Sequence, residues 1–141
     1  MLLSDNDRKR VKQMLGAMVT PVRLVFFTQS LSCDTCLPAR QILDELVAQT
    51  DKLSVDERNL VLDKDAAASF GVDRVPAICV VAGEQDTRIR FVGLPSGYEF
   101  SALIDAVVAA STGRSGLSEA SRGRLQEVAS PVRIQVFVTP T

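Results

Sequence analysis

Two hydrophobic periods alternate along the chain. Between Asp5 and Met18 the large apolar residues are Val11, Met14, Leu15 and Met18, which recur at helical spacing, so a helix is expected over about 5–18. Ser4 suits an N-cap, and Asp5 and Asp7 suit the positive end of a helix. Thr20-Pro21 closes this segment. "VRLVFF" (Val22 to Phe27) follows as a nearly continuous apolar run rich in β-branched and aromatic residues, the pattern of a strand buried on both faces. Ile42, Leu43, Leu46 and Val47 return to the helical period and predict a helix from about Cys33 to Gln49, with an irregularity at Pro38.

The half-polar "LSVDERNLVLD" (Leu53 to Asp63) predicts a strand. "DAAASFGV" (Asp65 to Val72) predicts a short helix stopped by Gly71. "VPAICVVA" (Val75 to Ala82) reads as a strand that opens on a proline, one of the few positions where a sheet accepts one. A turn at "GEQD" (Gly83 to Asp86) leads to the alternating "TRIRFVG" (Thr87 to Gly93), its hairpin partner. Phe100, Leu103, Ile104, Val107 and Val108 place a last helix at about 97–110. The order β-α-β-α-β-β-α makes the first two strands parallel and the last two an antiparallel hairpin. The expected class is α/β: a four-stranded mixed sheet flanked by helices, with an extra helix at the N-terminus.

Beyond residue 112 the chain begins to repeat itself. "STGRSGLSEASRG" (Ser111 to Gly123) starts as a Ser/Gly-rich linker. "SPVRIQVFVT" from Ser130 then echoes "TPVRLVFFT" from Thr20, and Leu117-Ser118 echoes Leu3-Ser4. The spacing is domain-sized, far longer than a solenoid repeat. Residues 1–112 are therefore expected to form one complete domain, and 113–141 a linker plus the first helix and strand of an incomplete second unit. A strand such as "VRIQVFV" without its neighbours invites pairing with another chain, so docking against the first unit or a homodimer through the C-terminal strand is expected.

Composition narrows the function. A net charge of −1 gives no electrostatic reason to bind nucleic acid or an anionic membrane. No apolar run approaches the roughly 20 residues of a membrane span, and the start "MLLSDNDRKR" turns polar at once, so a cytoplasmic protein is expected. There is no histidine, which removes Cys-His catalysis and histidine-liganded metals together. Zinc needs about four ligands. Beside Cys33 and Cys36 only Cys79 remains, inside the apolar run "AICVV" where it suits a core, and no cofactor is expected.

The chemistry therefore rests on "SLSCDTCLP" (Ser30 to Pro38). Cys33 and Cys36 fall at the junction of the first strand and the next helix. Unpaired amides and the dipole at a helix start stabilise a thiolate, moving such cysteines from about 8.5 into a range of about 3.5–7.5. The three-residue offset lets the sulfurs close a disulfide. Cys33, the more N-terminal, is expected to be the exposed attacking thiol, and Cys36 the buried one that resolves a mixed disulfide. An inert Cys33–Cys36 bridge stays open beside this reading, as does a non-catalytic partner-docking module whose cysteines are incidental.

"FGVDRVPAICVV" (Phe70 to Val81), "GLPSGYEF" (Gly93 to Phe100) and "VRIQVFVTPT" resemble the protein disulfide oxidoreductase family, whose members join two thioredoxin-like units. Residues 3–141 look like its N-terminal unit and the opening of a second. "SLSCDTC" also resembles the thioredoxin-like N-terminal domain of the alkyl hydroperoxide reductase flavoprotein, which passes electrons to a peroxidase. The resemblance implies a thioredoxin-like fold and a thiol–disulfide oxidoreductase. Its partners would be protein disulfides or a redox partner such as a reductase or peroxidase. It carries over Cys33 and Cys36 as catalytic and Pro76, with Val75, as a substrate-binding cis-proline step facing the cysteines. Departures are visible. Ser32 stands where thioredoxin has tryptophan, and Phe27 where it buries an acid that assists proton transfer. The dipeptide Asp34-Thr35 is typical of neither thioredoxin nor glutaredoxin. Asp34 opposes thiolate formation beside it, and Arg74 offsets this if its side chain turns inward.

Overall fold

The unbroken apolar run after Pro21 becomes the centre of a sheet. In the computed structural model, which describes residues 3–139, β1 (Val22–Thr28) lies between β2 (Leu53–Asn59) and β3 (Ala77–Ala82), with β4 (Gln85–Val92) outside β3. The end of the closing "VTPT" (residues 140 and 141) and residues 1 and 2 lie outside the described residues. β1 runs parallel to β2 and antiparallel to β3, and β3 and β4 are antiparallel. The helices are α1 (Asp5–Leu15), α2 (Cys36–Val47), α3 (Lys64–Phe70), α4 (Tyr98–Thr112) and α5 (Glu119–Leu125).

The two faces of β1 enter separate clusters. Leu24 and Phe26 pack with Leu43 and Leu46 of α2 and Leu103 and Ile104 of α4. Val25 and Phe27 pack on the opposite face with Ala67 of α3 and with Cys79. All four β1 side chains are buried. Each such burial contributes roughly 1.5–3 kcal/mol. The edge strands β2 and β4 are only partly covered, which is why their sequences are half polar.

Several boundaries differ from the sequence reading, each for a local reason. α1 stops at Leu15, because the amides of Ala17 and Met18 bond the carbonyls of Met14 and Leu15 in tight i→i+3 turns; Met18 is nevertheless buried. α2 begins at Cys36 rather than Cys33. Pro38 therefore lies in its first turn, where an amide has no intrahelical partner, and causes no irregularity. β2 ends at Asn59, whose Oδ1 accepts the amides of Val61 (2.9 Å) and Leu62 (3.1 Å) and starts a turn. Gly71 closes α3 at φ +66°, a conformation that favours glycine. Gln85 and Asp86 belong to β4, so the hairpin turn is shorter than expected, and a register irregularity at Cys79/Val81 accompanies Arg88 at φ +64°.

The two echoed segments meet different fates. Ser4 Oγ accepts the Asp7 amide at 3.2 Å and Ser118 Oγ accepts the Ser121 amide at 3.1 Å, so both helices start in the same way. α1 buries Val11 and Leu15, whereas α5 buries nothing. Residues 131–139 form no strand and are exposed, and none of them enters either apolar cluster.

α4 is tied to the start of β1 by Ser111, 3% exposed, whose Oγ donates to the Thr20 carbonyl (2.6 Å) and accepts the Val19 amide (2.9 Å). Ser111→Ala leaves both groups without this partner and is expected to cost about 1–3 kcal/mol in urea unfolding. Ser101→Ala, exposed on the same helix, should stay within about 0.5 kcal/mol of the parent.

Candidate active site

The site grows from the end of β1. The strand finishes at Thr28, and the loop that follows carries Cys33 up to the start of α2 at Cys36. Gln29 Nε2 donates to the Ser32 carbonyl (3.5 Å), and Ser32 adopts φ +56° immediately before the first cysteine. A serine in this left-handed region costs on the order of 1 kcal/mol. Cys33 and Cys36 are joined as a disulfide with Cα atoms 5.5 Å apart. Cys33 is partly exposed and Cys36 is 4% exposed, so the two sulfurs differ in access.

Cys36 is the first residue of α2, and Thr35 before it makes no side-chain cap bond. The first-turn amides and the helix dipole therefore act on the sulfurs without a competing side-chain acceptor from Thr35. Asp34 is exposed between the cysteines. Val75-Pro76 is a cis peptide bond, with Pro76 buried and Val75 partly so. Phe27 pairs with Ala77, which sets Pro76 beside Thr28, at the end of the sheet that leads into the cysteine loop. The Pro76 carbonyl accepts the Gly93 amide at 2.9 Å. Arg74 does not turn inward: it is exposed, and its Nε donates to Asp73 at 2.8 Å. That bond holds the Asp73 carboxyl below its usual range, with lesser help from Arg133 of the C-terminal segment.

On the other flank of the disulfide opens a cleft of about 450 Å³. Phe26 forms part of its wall, with Cys33, Cys36 and Arg40 from one side and Glu57, Arg58 and Asn59 from β2. Arg40 hydrogen-bonds Glu57 through Nη1 and Asp44 through Nε, the latter at 2.8 Å. Partial burial opposes the Arg40 charge, but Asp44 and Glu57 outweigh it and hold the guanidinium above its ordinary value. The sequence reading missed this group. Arg40 was within reach, being one helical turn after Cys36. Glu57 was not, because only the register Phe26↔Glu57 brings it there.

Phe27 is fully buried, edge-on to Phe70 with centroids 6.0 Å apart, so no acid enters from that position. Cys79 lies in the same cluster, and burial pushes its thiol up to about 11, against a lesser downward pull from Arg90. Among the described residues no group of three or more potential ligands could hold a metal ion, and no helix is long and apolar enough to cross a membrane.

No family model matches the sequence. A probable thioredoxin from Methanothermobacter thermautotrophicus is 34% identical over 86 residues, which is 60% of this chain and 94% of that protein. One component of the alkyl hydroperoxide reductase of Xanthomonas campestris pv. phaseoli is 28% identical over 110 residues, or 76% of this chain; the chain spans only 18% of that relative's length. A solved protein disulfide oxidoreductase from Aeropyrum pernix superposes with a TM-score of 0.79 at 26% identity, over 91% of this chain and 56% of that structure.

The three thiols should separate by access and ionisation. After reduction of the native protein at about pH 8, iodoacetamide is expected to label Cys33 first and Cys36 slowly. Cys79 should react only after denaturation, since its thiol is pushed up to about 11. Peptide mass spectrometry over a time course checks the order; early labelling of Cys79 contradicts it.

Proposed function

Because this chain belongs to the thioredoxin family, we propose that Cys33 and Cys36 are its catalytic residues and that they exchange electrons with protein disulfides or with a redox partner such as a reductase or peroxidase. The unit is a thiol–disulfide oxidoreductase on a thioredoxin-like fold. The observation that carries the assignment of roles is the pair itself: a disulfide at a strand–helix junction, with Cys33 open and Cys36 buried.

The cycle follows from that asymmetry. In the reduced state the accessible Cys33 thiolate attacks a substrate disulfide, forming a mixed disulfide and releasing one substrate thiolate. Cys36 then attacks the Cys33 sulfur, closes the internal disulfide and releases the second substrate sulfur. Two electrons pass to the substrate, and two sulfurs of the chain are oxidised. No cofactor is needed for these steps. Val75 and Pro76, at the cysteine end of the sheet, would line the path of an extended substrate segment, with strand-like main-chain hydrogen bonds as the mode of binding. Asp34 and Thr35 tune the thiolate: Asp34 by its charge against it, Thr35 by leaving the helix start uncapped.

On this reading the protein works in the cytoplasm, where a close cysteine pair is cycled rather than kept as a staple. The exposed apolar residues Val132, Ile134, Val136 and Phe137 support a homodimer through the C-terminal segment, and light scattering of the full chain against a chain lacking 113–141 tests it. A monomer in both cases excludes the dimer.

The activity is tested by reduction of insulin with dithiothreitol as electron source. The parent chain should accelerate precipitation, Cys33→Ser should fall to background, and Cys36→Ser should trap a mixed disulfide visible by mass. Activity at background in the parent, or unchanged by Cys33→Ser, favours instead a docking module with incidental cysteines.

A further inference from the structure

The second half of the cycle poses a problem that the first does not. Cys33 can lose its proton to solvent, but Cys36 is 4% exposed, and burial disfavours a thiolate. A carboxylate in the cleft that Cys36 lines takes that proton more readily than water does. Among the described residues lining that cleft, Glu57 is the only carboxylate. From the site and the exchange chemistry proposed for Cys33 and Cys36, on which this rests, we infer that Glu57 is the proton acceptor for Cys36, and that Arg40 is the positioning residue that holds it there.

Three features support the assignment. Glu57 sits on the α2-facing side of β2, opposite Phe26 in register, and Phe26 is part of the cleft wall. Arg40 is four residues after Cys36 and so shares its helix face; its Nη1 bond fixes the carboxylate on that side. Arg40 also binds Asp44 through Nε, so the guanidinium keeps a counter-charge when Glu57 becomes neutral. The transfer itself conserves charge in the cleft, because thiol plus carboxylate becomes thiolate plus acid. The cleft of about 450 Å³ has room for water to carry the proton between the two groups.

The Cys36 thiol gives its proton to Glu57. The Cys36 sulfur attacks Cys33, the Cys33–Cys36 bond forms, and the bond from Cys33 to substrate sulfur breaks with the electron pair leaving on the substrate. Glu57 returns the proton to that thiolate. The other charged groups near Glu57 are accounted for: Arg58 bonds Asp56 at 2.9 Å, Arg23 of β1 bonds the same carboxylate at 3.1 Å, and Asp63 accepts the Asn59 amide at 2.7 Å. Asp34 is exposed and outside the cleft lining.

The test uses the reduced full chain and 5,5′-dithiobis(2-nitrobenzoate) in stopped flow, where attack and resolution each release one coloured thiolate. In Glu57→Gln the first release should keep the parent rate. The second should slow about tenfold near neutral pH and converge on the parent as pH rises and hydroxide takes the proton. Glu57→Asp, which keeps the carboxylate, should recover part of the loss. A second release in Glu57→Gln equal to the parent across the range overturns the inference. So does a slowing by the same factor at every pH, which marks a displaced helix rather than a missing base. Absence of both releases in the parent is a different result, and defeats the exchange chemistry itself.

Discussion

Burial of β1 on both faces is the constraint from which the site follows. A strand covered on one side by α2 and α4 and on the other by α3 has little freedom to shift, because any slip moves Phe26 and Phe27 into the wrong cluster. Its end is therefore a fixed point, and the loop leaving it delivers Cys33 and Cys36 to one place. The same strand pairs with β3, so the residues that open β3 arrive at that end too. The α2 face of the sheet holds the cleft wall, and the α3 face holds Phe27, Phe70 and the buried Cys79.

The charges show how a marginal stabiliser acquires a chemical use. Exposed ion pairs such as Arg8–Asp5 or Arg74–Asp73 contribute little to stability. Arg40 joins Asp44 on its own helix to Glu57 on a strand, and does so in the wall of the cleft beside Cys36. Its value lies in fixing a carboxylate near a buried thiol. In the loop before Val75, Arg133 of the C-terminal segment adds slightly to Arg74 in holding the Asp73 carboxyl below its usual range.

Much of the architecture was legible in the sequence because it depends on local patterns. The continuous run at Val22 to Phe27, the glycine after α3 and the serines at Ser4 and Ser118 each mark their element directly. Element ends were less legible: where α1 stops and α2 begins depends on competing hydrogen bonds that differ by little in energy. The echo of β1 at 131–138 shows the limit. A nearly identical pattern forms a buried strand in one place and no strand in the other, because a strand exists only with neighbours.

By itself the sequence determined the chemical possibilities: two cysteines a helical turn apart, no histidine, a strand before them and a Val-Pro step at the head of a later strand. Spacing along one element suffices for that, since the geometry of a turn or helix is the same wherever it occurs. The tertiary structure decided which sulfur is open and which buried, that Arg74 faces solvent, and that Glu57 lines the same cleft as the pair. Those depend on the register between β1 and β2 and on the packing of α2 across them. Register and packing are set by the sum of contacts between residues distant in the chain, which no local pattern records.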